Sequence, residues 1–227
     1  MPDKRLLKCA EFVTRGGISA DIGTDHAYLP VYLAEQGISE KVLACDVREG
    51  PLASARETAS ASNCAEKISL YLSDGLDSVP DDGITDVICA GMGGELIFDI
   101  INRPDFIKER GVNLVLQPMT KPEKLRKLLC ENGFEILREE AVKCGSFIYT
   151  VINAKYTGTK IFAGDVFCYT GKLSNDSADD REYLFETAGK LKSAAEGMMR
   201  SSANNKEADR LMKISEYILN YLKEGQK

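Results

Sequence analysis

Residues Ile18 to Pro30 read ISADIGTDHAYLP, an apolar run passing into a loop that carries one glycine, two aspartates and the chain's only histidine. Ile18, Ala20 and Ile22 fit a buried strand. Asp21 and Gly23 then fall where an α/β sheet turns into its first helix. Open parallel sheets bind ligands at these carboxyl ends of strands, so the loop is the first place to look for a cofactor.

A dinucleotide loop uses three glycines to bring its backbone against a pyrophosphate. Here only Gly23 remains, with Asp25 and Ala27 at the later positions, and a carboxylate there repels phosphate. Asp21 and Asp25 instead suit a phosphate-free cofactor with a cationic amino group and a cationic sulfonium, a description that S-adenosylmethionine meets. The competing assignment makes Asp25 a helix N-cap and His26 a first-turn filler.

Outward from this loop, Tyr28 to Gln36 reads as the first crossover helix and Lys41 to Val47 as a second buried strand. Asp46 closes that strand 23 positions beyond Gly23, about where an acidic residue accepts from ribose hydroxyls. Pro51 to Ala65 predicts a helix and Ile68 to Leu72 a strand. Asp74, in the turn Ser73-Asp74-Gly75-Leu76, is either an acceptor for an adenine amino group or a plain turn residue. Thr85 to Ala90 is the fourth strand, ahead of Gly91-Met92-Gly93-Gly94 and a helix over Glu95 to Ile101. Its glycines either cradle an acceptor beside the reacting methyl or make a tight strand-helix turn.

Asn113 to Leu116 is a fifth strand. In the following helix, Lys121 to Leu129, the pattern places Leu125, Leu128 and Leu129 inward and Lys121, Lys124, Arg126 and Lys127 outward. Phe134 to Lys143 and Phe147 to Tyr156 read as a hairpin at the sheet edge. Five βα units closed by a hairpin describe a class I Rossmann-like methyltransferase fold better than a dehydrogenase. On the amino-terminal side, Asp3 to Arg15 predicts an amphipathic helix that caps the sheet edge or covers the cofactor loop. After a polar stretch from Thr157, Leu184, Ala188, Leu191, Ala195 and Met198 form one apolar seam, and Leu211, Ile214, Ile218 and Leu222 a second. With a turn at Asn204-Asn205 they predict a C-terminal α-helical hairpin of coiled-coil type. The expected domains are residues 1–156 and 157–227.

The chain has 227 residues, 44% of them hydrophobic, and a formal charge of -6, enough for one substantial core and an appendage. The charge excludes a uniformly basic nucleic-acid binder, so any RNA contact is focused. Seven scattered cysteines with no C-x-x-C spacing, and a single histidine, argue against a metal site and for reduced, buried thiols. The charged N-terminus and the lack of a long apolar run predict no signal peptide and no membrane span, hence a cytoplasmic protein.

DIGTDHAYLP (Asp21 to Pro30), ACDVREGPLASA (Ala44 to Ala55), SDGL (Ser73 to Leu76), DVICAGMGG (Asp86 to Gly94) and LVLQPM (Leu114 to Met119) together resemble the bacterial TrmK tRNA methyltransferases, which modify N1 of adenosine 22. The resemblance covers most of the first 120 residues; beyond Tyr156 it is one of architecture. It implies S-adenosylmethionine as cofactor and tRNA as substrate. It also implies that Gly23 shapes the cofactor loop, Asp46 holds the ribose, and Asp74 with Gly75 flanks the adenine. Ala90, Gly91 and Met92 then line the methyl-transfer pocket, and Asp25 and His26 lie at the reaction centre as the catalytic candidates.

Adenine N1 has a free lone pair at neutral pH, so transfer requires no prior deprotonation; positive charge growing on the base must be stabilised. Asp25 is expected to supply that potential, with backbone carbonyls near Ala90 to Met92 orienting the base amino group. The target must be unpaired or flipped out. Basic residues expected to meet RNA are those of the N-terminal helix, Lys121, Lys124, Arg126 and Lys127, and Lys190, Lys192, Arg200, Arg210 and Lys213. The helical arm serves either RNA guidance or packing and dimerisation. Two other readings remain at this level: a methyltransferase for another RNA site or a small molecule, and a non-catalytic RNA-binding protein of the same fold.

Overall fold

The structure is a computed structural model that describes residues 1–200 and 205–224. A seven-stranded sheet has the order β3-β2-β1-β4-β5-β7-β6. Its strands are β1 (Gly17–Ile22), β2 (Ser39–Asp46), β3 (Ile68–Leu72), β4 (Ile84–Gly93), β5 (Asn113–Thr120), β6 (Phe134–Cys144) and β7 (Phe147–Tyr156). The first five run parallel, and β7 pairs antiparallel with both β5 and β6. The strand order reverses between β1 and β4, which puts the Ile18–Pro30 loop at the switch point where such sheets bind ligands.

Alternation along each strand feeds two cores. Ala20, Ile22, Val87, Cys89, Leu114 and Leu116 pack on one face with α4 (Gly94–Asn102), α5 (Asp105–Arg110) and α6 (Pro122–Glu131). Ile88, Val115 and Val151 pack on the other with α1 (Lys4–Ala10) and α2 (Tyr28–Glu35). Helix α3 (Glu49–Ser60) crosses from β2 toward β3. Among the seven cysteines, all are free and Cys144 is the one not fully buried.

Several elements depart from the sequence expectation. Helix α1 stops at Ala10 instead of reaching Arg15, because the Phe12 and Val13 amides bond the Cys9 and Ala10 carbonyls in a tighter turn and the Thr14 amide donates to the Asp86 carboxylate at 2.9 Å. Of the Gly91–Gly94 segment, read either as a cradle or as a tight strand-helix turn, Gly91, Met92 and Gly93 continue β4, with a register shift between Ala90 and Met92 opposite β5, and Gly94 opens α4. Two six-residue helices, α5 and α7 (Asp165–Thr170), are too short to show a period.

The C-terminal helices are α8 (Ala178–Arg200) and α9 (Asn205–Glu224). They bury Leu184, Ala188, Leu191 and Ala195 against Ala208, Leu211, Ile214, Ile218 and Leu222, with Met198 of the expected seam only partly buried beside them and Ala208 added. The buried Ser215 hydroxyl donates to the Ala188 carbonyl at 2.8 Å, and the Asn175 amide reaches the Tyr221 carbonyl at 3.1 Å, so the helices run antiparallel. Of the turn expected at Asn204-Asn205, Asn205 opens α9 and Asn204 lies outside the described residues.

The pair is fastened to the sheet. Asp180 accepts from the Ala141 amide at 2.7 Å and the Ser174 amide at 3.0 Å, and Asp179 accepts from the Lys143 amide at 3.0 Å. These carboxylates cover donors of edge strand β6 that otherwise invite pairing with another chain. The larger joint is Arg126, expected to face solvent and instead fully buried. Its Nε and Nη2 donate to Glu139 at 3.0 and 2.7 Å, its Nη1 to the Cys168 carbonyl at 2.7 Å, and its Nη2 to the Tyr183 hydroxyl at 3.4 Å. Glu139 also accepts from Thr150 at 2.5 Å and from the Lys172 amide at 3.1 Å. The outward assignment failed because its partners come from β6, α7 and α8, none of which is visible in the period of α6. Arg126 is therefore removed from the RNA-contact set.

Candidate active site

The loop after β1 is held by β2: the Gly23 and Thr24 amides both donate to the Cys45 carbonyl, at 2.8 and 2.9 Å. Gly23, Asp25 and Ala27 all take positive φ, at 72°, 51° and 55°. Such conformations cost a residue with a Cβ about 1–2 kcal/mol and concentrate at functional sites. Ala27, without a side-chain hydrogen bond, occupies the cap position of α2. Asp25 is thereby no helix cap, and its carboxylate is two-thirds exposed (66%), with His26 Nε2 at 3.8 Å.

Two clefts open beside this loop. One, of about 450 Å³, lies over the ends of β1, β2, β3 and β4 and is lined by Gly23, Asp25, Asp46, Asp74, Gly75, Ala90, Gly91 and Met92, with apolar walls from Val47, Leu96 and Ile100. The other, of about 420 Å³, is lined by Asp21, Thr24, Asp25, His26, Tyr28 and Met119 and by Asp3, Arg5 and Leu6 of the N-terminal segment. Gly23, Asp25, Ala90 and Gly91 line both, so one thin wall separates them.

In the first cleft Asp46 is nearly buried and accepts the Arg48 amide at 3.0 Å through one oxygen, while the other oxygen accepts no hydrogen bond among the described residues. Asp74 pairs with Arg103 at 3.1 Å, so its carboxylate is shared with a cation as well as facing the cleft. At Gly75, φ is 60° and a Cβ would meet Ile100 and Arg103. At Gly23 a Cβ would strike the Met92 methyl. The bulged Gly91, with φ 85°, donates its amide to Gln117 Oε1 at 3.1 Å, and Arg5 donates to the same oxygen at 2.6 Å. The N-terminal helix is thus tied to the glycine segment through Gln117.

Burial pushes the Asp21 carboxyl up to about 6, with the Thr24 hydroxyl pulling the other way and the Asp46 charge adding to the rise. Burial likewise pushes the Cys45 thiol up to about 12, so it is no nucleophile near neutral pH. Tyr28 stacks on His26 with centroids 5.3 Å apart and planes at 21°, giving the second cleft an aromatic edge. Among the described residues no group of three or more His, Cys, Asp or Glu side chains could hold a metal ion, and no helix is long and apolar enough to cross a membrane.

All ten residues singled out from the sequence therefore line one cleft or the other. Sequence reading missed Tyr28, Arg5 and Gln117. The His-x-Tyr spacing was a signal for the first; no local pattern announces the other two, whose side chains meet across 112 positions.

Residues 2–152 match the family model described as a methyltransferase domain. The tRNA (adenine(22)-N(1))-methyltransferase of Bacillus subtilis is 31% identical over 168 residues, 71% of each chain. The chain belongs to the TrmK family of tRNA methyltransferases. A Streptococcus pneumoniae relative solved in complex with S-adenosyl-L-methionine is 29% identical, with 96% of this chain and 100% of that one covered and a TM-score of 0.83. Bacillus subtilis TrmK superposes with a TM-score of 0.80 over 100% of this chain and 99% of that one, at 24% identity, and bears on the fold alone. The TrmK-family fold thus extends through the helical pair.

Proposed function

We propose that this TrmK-family chain transfers a methyl group from S-adenosyl-L-methionine to N1 of adenosine 22 in tRNA. The observation that carries the reading is the pair of clefts sharing the wall Gly23, Asp25, Ala90 and Gly91, one for the methyl donor and one for the base. The donor cleft fits the cofactor in charge and shape: three carboxylates, Asp25, Asp46 and Asp74, outnumber the one cation of its lining, Arg48, and Gly23 and Gly75 leave room that a Cβ would take from Met92, Ile100 and Arg103. Asp46 holds the ribose through its unspent oxygen, and Asp74 with Gly75 flanks the adenine. Asp21 adds negative potential from below the loop. When bound, S-adenosyl-L-methionine supplies an electrophilic methyl group at the shared wall.

The chain's own contribution is placement and electrostatics. The His26–Tyr28 pair offers an aromatic face to an adenine turned out of its helix. Asp25, held in a strained conformation on the shared wall, supplies negative potential as the base becomes cationic, and backbone carbonyls of Ala90 to Met92 accept from its amino group. No base is needed to free the N1 lone pair. The methyltransferase unit spans residues 1–156 and the helical unit residues 157–227, with Arg126 and Glu139 as the buried joint. Lys124, Lys127, Lys192 and Lys213 are exposed and extend the path for tRNA.

Mass mapping of nucleosides in tRNA treated with the purified protein and labelled cofactor tests this directly. One N1-methyladenosine at position 22 is expected. Methylation at a different site, or of no RNA at all by protein that binds the cofactor, overturns it.

A further inference from the structure

A third cleft, of about 340 Å³, lies between α8 and the segment joining β5 to α6. We propose that it receives the nucleotide adjacent to the target adenosine, with its base against Tyr149 and Tyr169 and its phosphate at Lys121 and Lys190. The proposal rests on the tRNA reading above and deepens it.

Three observations converge. The first is position: β7 runs antiparallel to β5, so its opening residues stand beside the β5 terminus, on the same rim of the sheet as the other two clefts. Met119, 41% exposed, lines both this cleft and the acceptor cleft. The three openings therefore form one trough from donor to acceptor to neighbour. A nucleotide step beyond a flipped base leads into it.

The second is chemistry. Tyr149 and Tyr169 are part-buried and line the cleft, giving anchored rings of the kind on which unstacked bases rest. Lys190 is 75% exposed and paired with Glu186 at 3.0 Å, and Lys121 is paired with Glu95. Exposed pairs of this kind contribute little, so exchanging a carboxylate for a phosphate costs little. Glu123 is the one acidic side chain in the lining. It repels phosphate and directs the backbone to the Lys190 side.

The third is rigidity. Arg126 spends its charge on Glu139 beneath the cleft and bonds the Tyr169 carbonyl at 3.2 Å and the Tyr183 hydroxyl at 3.4 Å. The walls are thus set before RNA arrives, which lowers the ordering cost of binding.

The test uses the full chain and a tRNA transcript, intact or with an abasic nucleotide on the 5′ or the 3′ side of the target adenosine. Initial rates of methyl incorporation yield KM for tRNA and kcat, and calorimetry reads cofactor affinity. On one of the two sides the abasic nucleotide raises the wild-type KM by roughly tenfold. Tyr149→Leu raises KM by a similar factor on intact tRNA and adds nothing on that abasic tRNA, while Tyr149→Phe behaves as wild type. Lys190→Glu raises KM and flattens its dependence on salt. Cofactor affinity stays constant throughout. An unchanged KM for Tyr149→Leu and Lys190→Glu, or a Tyr149→Leu penalty that multiplies fully with the abasic one, overturns the subsite while leaving adenosine methylation intact. A wild-type protein that binds cofactor and methylates no tRNA overturns the underlying reading, and the subsite with it.

Discussion

Replacing Glu139 with glutamine keeps the side-chain shape and removes its charge, leaving the Arg126 guanidinium fully buried with no counterion. Breaking a buried pair in this way costs about 3–5 kcal/mol. For a chain of this size each kcal/mol moves the melting temperature by about 2–4 °C, so a fall of roughly 6–20 °C is expected. The damage is local in origin, since Arg126 and Glu139 join α6, β6, β7, α7 and α8. Calorimetry reads the melting shift, and hydrogen exchange then shows α8 and α9 opening before the parallel strands. Cofactor affinity measured below the transition is unchanged, because neither residue lines the cleft proposed for the methyl donor. The double variant Arg126→Met with Glu139→Leu recovers part of the loss, as no uncompensated charge remains. A shift under about 2 °C for Glu139→Gln, or a double variant no better than the single, refutes the reasoning.

At the active site, Asp25→Asn lowers kcat by roughly 10- to 100-fold with cofactor affinity unchanged. The effect is smaller than for a buried oxyanion donor because water screens a carboxylate that is 66% exposed; near-normal turnover would remove Asp25 from the chemistry. Gly23→Ala forces an alanine into a left-handed conformation and against the Met92 methyl. It therefore weakens cofactor binding at least roughly tenfold, and calorimetric titration of Gly23→Ala with and without Met92→Ala, which relieves the collision, checks both causes. Asp21 has its folded value raised to about 6 from 3.8, so the folded state holds the proton more tightly and this group costs stability as pH rises from about 4 through 6. Asp21→Asn is accordingly more stable than wild type at pH 8, and the two converge below pH 4; urea unfolding across this range that shows no pH-dependent difference contradicts the assignment.

The fold and the lining of the cleft over the parallel strand ends were legible because both are written in local patterns. Ile18, Ala20 and Ile22 announce a strand by alternation, and the spacing of Gly23 and Asp46 announces two strand ends that open on one cleft. The seams of α8 and α9 follow from helical steps alone. Such signals depend on neighbours within a few residues, where the period of the backbone dictates which side chains share a face. Arg126 shows the limit: its position in α6 reads as solvent-facing, yet three elements from later in the chain close over it. The extent of α1 was likewise set by Asp86, and Gly91 sits at a bulge where Gln117 of the adjacent strand takes its amide.

From the chain alone came the α/β alternation, the acidic character of the loop after β1, and the ten residues that line the two clefts beside it. Only the folded molecule decided that the cleft beside His26 is completed by Arg5 and Tyr28, that Met119 joins it to a third cleft, and that one arginine is a buried joint. The division has a physical cause. Periodicity is a property of the backbone and is repeated every few residues, whereas the partner of a charge or the opposite wall of a cleft is whatever distant segment the packing brings within a few ångströms, and no local repeat encodes that encounter.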